Sequence, residues 1–465
     1  MTSLNGLIIA PIVAGLLVWL LARWPKVSAG AGAIFAFGIW LLLKTMTLPE
    51  TAVSGTPIQL FGQDLVFNEG LQSLFLFIYG GLIILFLLAI PFVQGRKFVP
   101  GALGVMGLLL AGVMIRPFSV GIVIIWVALA LVSIIIQEEL AGATHGGVTY
   151  LVLVSVAMPL LLILVWTVET QTVNLVTPVT RFALIGVIIL LGGFPFHIWV
   201  TSAVRESKPL IYVFLFGLAQ LVVVTFIFNF FQAAPWLQND IQFLEMVRLS
   251  GIATLLTIAL LVMTAVRFSR LIDSLLLLDM SLVLLALLLP NELGWETAVT
   301  LQIGRFGALL FLAVGLLLLQ RVGITSEINE AGLAEDQARS NQGLGRRAPL
   351  SLALFLFGAA SLIGLPLTLG FAGHTRAIQS LGTAVMLIDS STFLLITVFL
   401  AITLSAFALF RATLYWLKAP TEAAASAEPV WQKIILGIAL FAGILFAFTP
   451  PTFIDYTQTL AQLFQ

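Results

Sequence analysis

No cysteine occurs among the 465 residues, which excludes disulfides, thiolate metal sites and cysteine-ligated iron–sulfur clusters. Any redox chemistry must therefore belong to a partner. Charge is scarce too: 9% of residues are charged against 60% hydrophobic, a composition that no soluble domain of this length could carry on its surface. The 21 basic and 21 acidic residues cancel, and no basic tract suggests a nucleic-acid partner. Neither a Walker-type GxxxxGKS/T nor a dinucleotide-binding glycine fingerprint stands in a strand–helix context. Energy for transport does not come from a nucleotide bound here, and no catalytic constellation for an enzyme acting alone is found. The first apolar run, Gly6 to Leu21, follows MTSLN without a basic n-region or a small-residue cleavage site, and reads as a retained span. What is present is an all-α, polytopic membrane protein with membrane lipids as its solvent.

Within that apolar background two helix-breaking prolines stand out, Pro195 in LLGGFPFHIW and Pro366 in SLIGLPLTLGFAGH, each flanked by glycines, Gly364 and Gly370 among them. An interrupted helix in a bilayer survives only where protein or a water-filled cavity satisfies the freed backbone groups. Two breaks at corresponding places in two halves point to an internal repeat with a conducting site.

Marking apolar stretches long enough for about 30 Å of hydrocarbon predicts about fourteen spans: 5–23, 27–44, 71–93, 99–115, 117–136, 147–168, 180–203, 209–231, 247–266, 271–289, 297–320, 349–373, 385–415 and 431–450. Loop charges test the map through the retention of basic residues on the cytoplasmic side. Loops after odd-numbered spans hold Arg23, Lys26, Arg96, Lys97, Arg205, Lys208, Arg267, Arg270, Arg321, Arg339, Arg346, Arg347, Lys418 and Lys433, and those after even-numbered spans only Lys44, Arg116, Arg181, Arg248 and Arg376. Both termini are thus predicted outside the cytoplasm, with the tail TPPTFIDYTQTLAQLFQ on the outer surface. Alternation in TPIQLF and DLVF predicts an outer-face hairpin within Thr45 to Glu69. The polar stretch Ile324 to Arg347 reads as a cytoplasmic connector between the halves or as a docking surface for a soluble partner.

Four stretches carry a family resemblance: GGFPFHIW (Gly192–Trp199), QIGRFGALLFLAVG (Gln302–Gly315), RRAPLSLALFLFGAASLIGLPLTLGFAGH (Arg346–His374) and FALFRATLYW (Phe407–Trp416). They resemble the antiporter-like N/M/L-type subunits of respiratory complex I (NADH-quinone oxidoreductase) and of Mrp-type antiporters, over roughly Ile124 to Trp416. The resemblance implies two inverted five-helix repeats, spans 4–8 and 9–13, with discontinuous helices at spans 7 and 12. It divides the chain into an N-terminal three-helix segment (1–98), a first repeat (99–231), a second repeat (247–415) and a C-terminal helix with tail (416–465). It implies a bacterial inner-membrane setting and neighbouring membrane-arm subunits as partners. Iron–sulfur clusters, flavin and quinone are expected only in partner subunits, the quinone-reducing peripheral arm being reached indirectly.

The departures from the family pattern are specific. The Trp-Glu of span 5 is Trp126-Val127 here, the span 7 lysine falls on Leu190, LFGLAQ at Leu215–Gln220 offers neither lysine nor histidine, and the span 11 lysine aligns with Gly307. Only the residue ending GFxGK keeps a titratable group, as His374. Proton-path candidates are His374, His197, Asp279 and Arg305. An Asp279–Arg305 pair across spans 10 and 11 reads either as a displaced relay or as an ion pair that joins two helices. His374 reads as a proton-exchanging imidazole or as a partner of freed carbonyls, and His197 likewise. Glu138, Glu139 and His145 have no trusted ligand spacing and read as a solvated helix end. Arg205, Glu206 and Lys208 should meet headgroups or a neighbour, Arg411 should snorkel, and the aromatics read mostly as lipid-facing bulk.

Three readings of function follow: a proton-translocating membrane-arm subunit of a complex I-related oxidoreductase, a degenerate paralogue that holds such an arm together, and a free-standing secondary transporter or membrane half of an inorganic-carbon uptake system. A free-standing carrier should keep a buried charge in each repeat, and the first repeat offers none.

Overall fold

The computed structural model describes residues 2–46, 58–60, 62–137, 145–170, 176–265, 267–322, 343–385, 391–418 and 428–448. Glu138, Glu139, the C-terminal tail and most of the 324–347 connector lie outside the described residues.

The apolar stretches fold as helices: α1 (Thr2–Leu20), α2 (Pro25–Thr45), α3 (Glu69–Ala89), α4 (Phe98–Met114), α5 (Phe118–Ile136) and α6 (His145–Glu169) open the chain. A broken pair follows, α7 (Val176–Leu190) and α8 (Ile198–Glu206), and then α9 (Pro209–Ala233), α10 (Ile241–Met263), α11 (Phe268–Ala286) and α12 (Asn291–Arg321). A second broken pair, α13 (Pro349–Ile363) and α14 (Phe371–Val385), precedes α15 (Ser391–Leu417) and α16 (Val430–Ala447). Among the described residues nine helices are long and apolar enough to cross a membrane, and shorter apolar helices include Phe98–Met114, Val179–Leu190 and Pro349–Ile363.

Breaks fall where the glycine–proline stretches place them, between α7 and α8 and between α13 and α14. Gly192 and Gly364 take left-handed conformations there, φ +67° and +76°, which a side chain disfavours by roughly 1–2 kcal/mol. The expected hairpin forms from β1 (Ile58–Leu60) and β2 (Gln63–Leu65), and β3 (Ile115–Arg116) at the α4–α5 joint adds a third antiparallel strand, with Asp64 opposite Arg116. A two-residue strand between adjacent helices leaves no periodic signal, so only the fold reveals it.

Helix α9 is buried from Pro209 to Phe228 and α11 almost entirely, so apolar residues surround both, interrupted on α11 by the buried carboxylates Asp273 and Asp279. Close crossings use small residues, as expected where lipid gives no hydrophobic drive between helices. A Cβ on Gly358 would lie 2.4 Å from the Leu312 nitrogen, and one on Gly315 would lie 2.5 Å from that of Phe355, which seats α12 against α13. Helix α16 is the peripheral one, with Ile434, Ile438, Phe441 and Phe446 exposed.

Three expectations change. Many aromatics are core rather than lipid-facing: Phe75, Phe214, Phe216 and Phe355 are fully buried, and Trp416 stacks on Phe268 at 4.2 Å. Arg411 does not snorkel; it donates to the Ala265 carbonyl at the α10–α11 joint. Glu206 accepts from the Gly146 nitrogen at 2.6 Å and is spent inside the fold, whereas Arg205 pairs with the buried Asp273 of α11 at 3.1 Å while its side chain stays 47% exposed.

Candidate functional site

Asp279, Arg305 and His374 meet. Asp279 lies on α11, Arg305 on α12 and His374 in the first turn of α14, and each is about 98% or more buried. Arg305 Nε donates to Asp279 Oδ2, and His374 Nε2 stands 4.0 Å from Asp279 Oδ1. A buried charge is tolerated only when paired and hydrogen-bonded, so each member of this cluster accounts for the others.

The second break builds the site. Gly364, in its left-handed conformation, leaves room for the His374 ring, which a Cβ there would overlap at 2.2 Å. Gly370 fits flush against the Ser361 carbonyl, where a Cβ would come within 1.9 Å, and Gly373 lies against the α12 backbone at Leu301. The glycine spacing of the GLPLTLGFAGH stretch is thus the spacing of three contacts that bring α14 onto α13 and α12. His374 Nδ1 lies 3.1 Å from the Gly370 carbonyl, so Nδ1 donates and a neutral ring turns its Nε2 lone pair toward Asp279. Two acceptors 4.0 Å apart call for a proton or a bridging donor between them. Unpartnered polar atoms gather around the cluster: Arg305 Nη1 and Nη2, His374 Nε2, and both amide atoms of Gln302, one turn before Arg305 on α12. That is more hydrogen-bonding capacity than the protein fills. An apolar cavity of about 460 Å³ adjoins the same break, lined by Ile303, Gly304, Gly307, Leu369, Ala372 and Gly443.

The first break is built differently. Trp199 Nε1 donates to the Ile189 carbonyl at 2.7 Å and Gln220 Nε2 to that of Leu190 at 3.0 Å. Thr254 accepts from the Phe194 nitrogen and Ser250 donates to its carbonyl. Freed backbone groups are therefore satisfied by side chains, and no charged residue is among them. Gln220 follows a π-helical stretch, Phe214–Ala219, whose Gly217 receives Phe306 of α12. His197 is half-buried beside Phe194, with its Nδ1 unpartnered, and it does not join the other three candidates. Gln302 and Gln220 were missed by charge-based reading, since an uncharged amide in an apolar run carries no titration signal.

Pro195 and Pro366 sit within the two breaks themselves. Among the described residues no cluster of His, Cys, Asp or Glu has the makings of a metal site.

A family model described as NADH:quinone oxidoreductase/Mrp antiporter, transmembrane, matches residues 160–403. NADH-quinone oxidoreductase subunit N of Polaromonas naphthalenivorans is 25% identical over 206 residues, 43% of this chain and 40% of the relative. The same subunit of a Nocardioides species is 25% identical over 194 residues, 41% of this chain and 35% of the relative. The matched stretch thus spans well under half of either relative. In fold the chain is similar over 99% of its length to a chain of an archaeal membrane-bound sulfane sulfur reductase (TM-score 0.78, 16% identity, 97% of that chain). It is also similar to one from the Mrp complex of a Dietzia species (0.72, 15%, all of this chain and 98% of that one). A chain of Thermus thermophilus respiratory complex I with bound NADH gives 0.71 at 21% identity, over 99% of each.

Proposed function

Because this chain belongs to the NADH:quinone oxidoreductase/Mrp antiporter family of transmembrane subunits, we propose that it is an antiporter-like membrane-arm subunit of a complex I-related oxidoreductase. Its second repeat keeps a proton-exchanging centre and its first repeat is a structural joint. The observation that carries this reading is the Asp279–Arg305–His374 cluster, buried at a helix break and rich in unfilled hydrogen-bonding capacity, set against a first break sealed by neutral side chains. With Asp279 ionised, Arg305 charged and the imidazole neutral the cluster sums to zero, and a proton taken up between His374 and Asp279 raises it to one positive charge, which the adjoining unfilled acceptors stabilise.

The same reading takes the chain as fourteen crossings with each broken pair counted once, both termini outside the cytoplasm, in a bacterial inner membrane. It divides the chain at 1–98, 99–231, 247–415 and 416–465. The exposed apolar face of α16 suits lipid or a neighbouring membrane subunit. Electron carriers, namely flavin, iron–sulfur clusters and quinone, belong on partner subunits.

Mild-detergent purification from native membranes with mass spectrometry is the first test. Iron–sulfur and quinone-site subunits should accompany the chain in fixed ratio, and a chain that purifies alone would overturn the assignment. Proton uptake in reconstituted vesicles tests the centre: His374→Ala should lower the pumping stoichiometry, and an unchanged value would remove His374 from the path.

A further inference from the structure

We propose that the apolar cavity beside the second break is a site for one acyl chain of a membrane phospholipid, and that this chain completes the packing of α14 on α12. The proposal needs only that the helices span a membrane, and it stands whether or not the buried cluster exchanges protons.

Three walls enclose the space. Helix α12 contributes Gly304 and Gly307, the break contributes Leu369, the first turn of α14 contributes Ala372, and α16 contributes Ala442 and Phe446. The hollow has a local cause. A Cβ on Gly304 would lie 3.3 Å from the Leu369 carbonyl, and one on Gly307 would lie 3.0 Å from the Leu369 side chain. The glycines that let the break approach α12 thus leave no side chains of their own to fill the space beside it.

The lining decides against water. Thr368 is the only lining residue with a polar side chain, and its hydroxyl already donates to the Leu365 carbonyl at 2.6 Å. A buried water needs two to four polar partners, and an apolar cavity of about 150 Å³ stays dry. The cavity of about 460 Å³ is three times that size. Left empty, it would forfeit the dispersion contacts of every wall, against the close packing of protein interiors.

Depth and size choose the occupant. Helix α12 runs over 31 residues with Phe306 at its midpoint, and its lining residues extend from Ile303 to Phe311. They lie within about 8 Å of that midpoint at ~1.5 Å per residue, inside a hydrocarbon layer about 30 Å thick. On the α16 side Ala442 is exposed and Phe446 is 55% exposed, so the cavity opens at the peripheral helix, where the surrounding medium is acyl chain. A helical segment about 10 Å across and 10 Å long takes up roughly 800 Å³ and does not fit. At ~30 Å³ for a group the size of a water or a methylene, the space takes roughly fifteen such groups, which is one acyl chain.

The chain bears on the cluster through its neighbours. Ala372 stands two residues before His374, and Gly304 and Phe306, both in the lining, flank Arg305. A filled cavity therefore supports the joint that presents the imidazole to the carboxylate.

Photolabelling tests the site. The protein, purified in mild detergent with whatever accompanies it, is reconstituted into phosphatidylcholine vesicles that include a phosphatidylcholine with a diazirine in the distal half of one acyl chain. After irradiation the labelled residues are read by peptide mass spectrometry. Labels on Leu369, Ala372 and residues 442–447 should exceed severalfold those on Leu400 and Phe407, exposed near the midpoint of α15, which report passing lipid. Ala442→Trp, at an exposed position, fills the cavity from the peripheral helix. It should cut the cavity labels severalfold and leave those on α15 unchanged. Cavity labels no stronger than those on α15, or unaltered by Ala442→Trp, would overturn the proposal. So would a cavity that excludes the label because a neighbouring subunit, or the chain beyond Phe448, already fills it. The comparison with α15 uses the unaltered protein, so a failure of Ala442→Trp to fold leaves the proposal decidable. Unchanged proton uptake in His374→Ala would end the proton-exchanging reading and leave these labels where they are.

Discussion

At the scale of single residues, the cluster is governed by the cost of leaving a charge alone. Removing one partner of a buried pair exposes the other to an uncompensated low-dielectric site, a loss of about 3–5 kcal/mol, whereas removing both can be close to neutral. Asp279→Asn and Arg305→Gln should therefore each destabilise strongly and the double variant far less than their sum, as read from detergent unfolding. Additive losses would argue against the contact. Asp279 and Arg305 were visible in the sequence because a charge in an apolar run is conspicuous. That His374 completes the group, and His197 does not, depends on how two breaks are folded back, which composition does not encode.

At the scale of elements, the two broken helices show how one motif yields two outcomes. Both use a left-handed glycine and a proline, yet Trp199, Gln220, Thr254 and Ser250 seal the first, whereas the second presents an imidazole to a carboxylate. The positioning of α14 depends on Gly370, whose missing Cβ lets the Ser361 carbonyl approach. Gly370→Ala should accordingly lower the unfolding temperature and weaken proton uptake together. Gly382→Ala on the same helix meets nothing within 4 Å and should be neutral or stabilising by up to about 1 kcal/mol from helix propensity. Equal effects of the two substitutions would show that the joint is looser than described. The N-terminus of α13 is held in a comparable way by Glu428, which accepts from the Ser351 nitrogen at 2.8 Å and its hydroxyl at 2.6 Å. A carboxylate suits that end of a helix.

At the scale of the whole molecule, polar function is asymmetric. The second half holds the Arg205–Asp273, Asp279–Arg305 and Glu296–Arg376 pairs, with Arg205 alone contributed by the first half. Among the described residues the buried side chains of α5, α7 and α9 carry no charge; their polar groups are the hydroxyls of Ser133, Thr180, Tyr212 and Thr225 and the amide of Gln220. Orientation sets which end of that column faces the cytoplasm, and loop charge is the present guide. Single thiols introduced by Arg23→Cys and Lys44→Cys should react with an impermeant reagent from opposite faces, Arg23 from the cytoplasmic side and Lys44 from the outer side. The reverse pattern would invert the topology.

The sequence by itself determined that this is a helical membrane protein with two interrupted helices. Hydrocarbon admits only long apolar helices, and glycine–proline pairs break them locally, whatever surrounds them. It also placed two unusual charges, because each is costly wherever it lies. Tertiary structure alone decided that those charges touch, that a histidine about seventy residues beyond Arg305 joins them, and that Arg205 and Arg376 are committed to internal carboxylates. The physical reason is one of range. Helix formation and insertion are set by neighbours within a few turns, whereas an ion pair is set by which helices the glycine contacts allow to approach, and that information is spread across the whole chain.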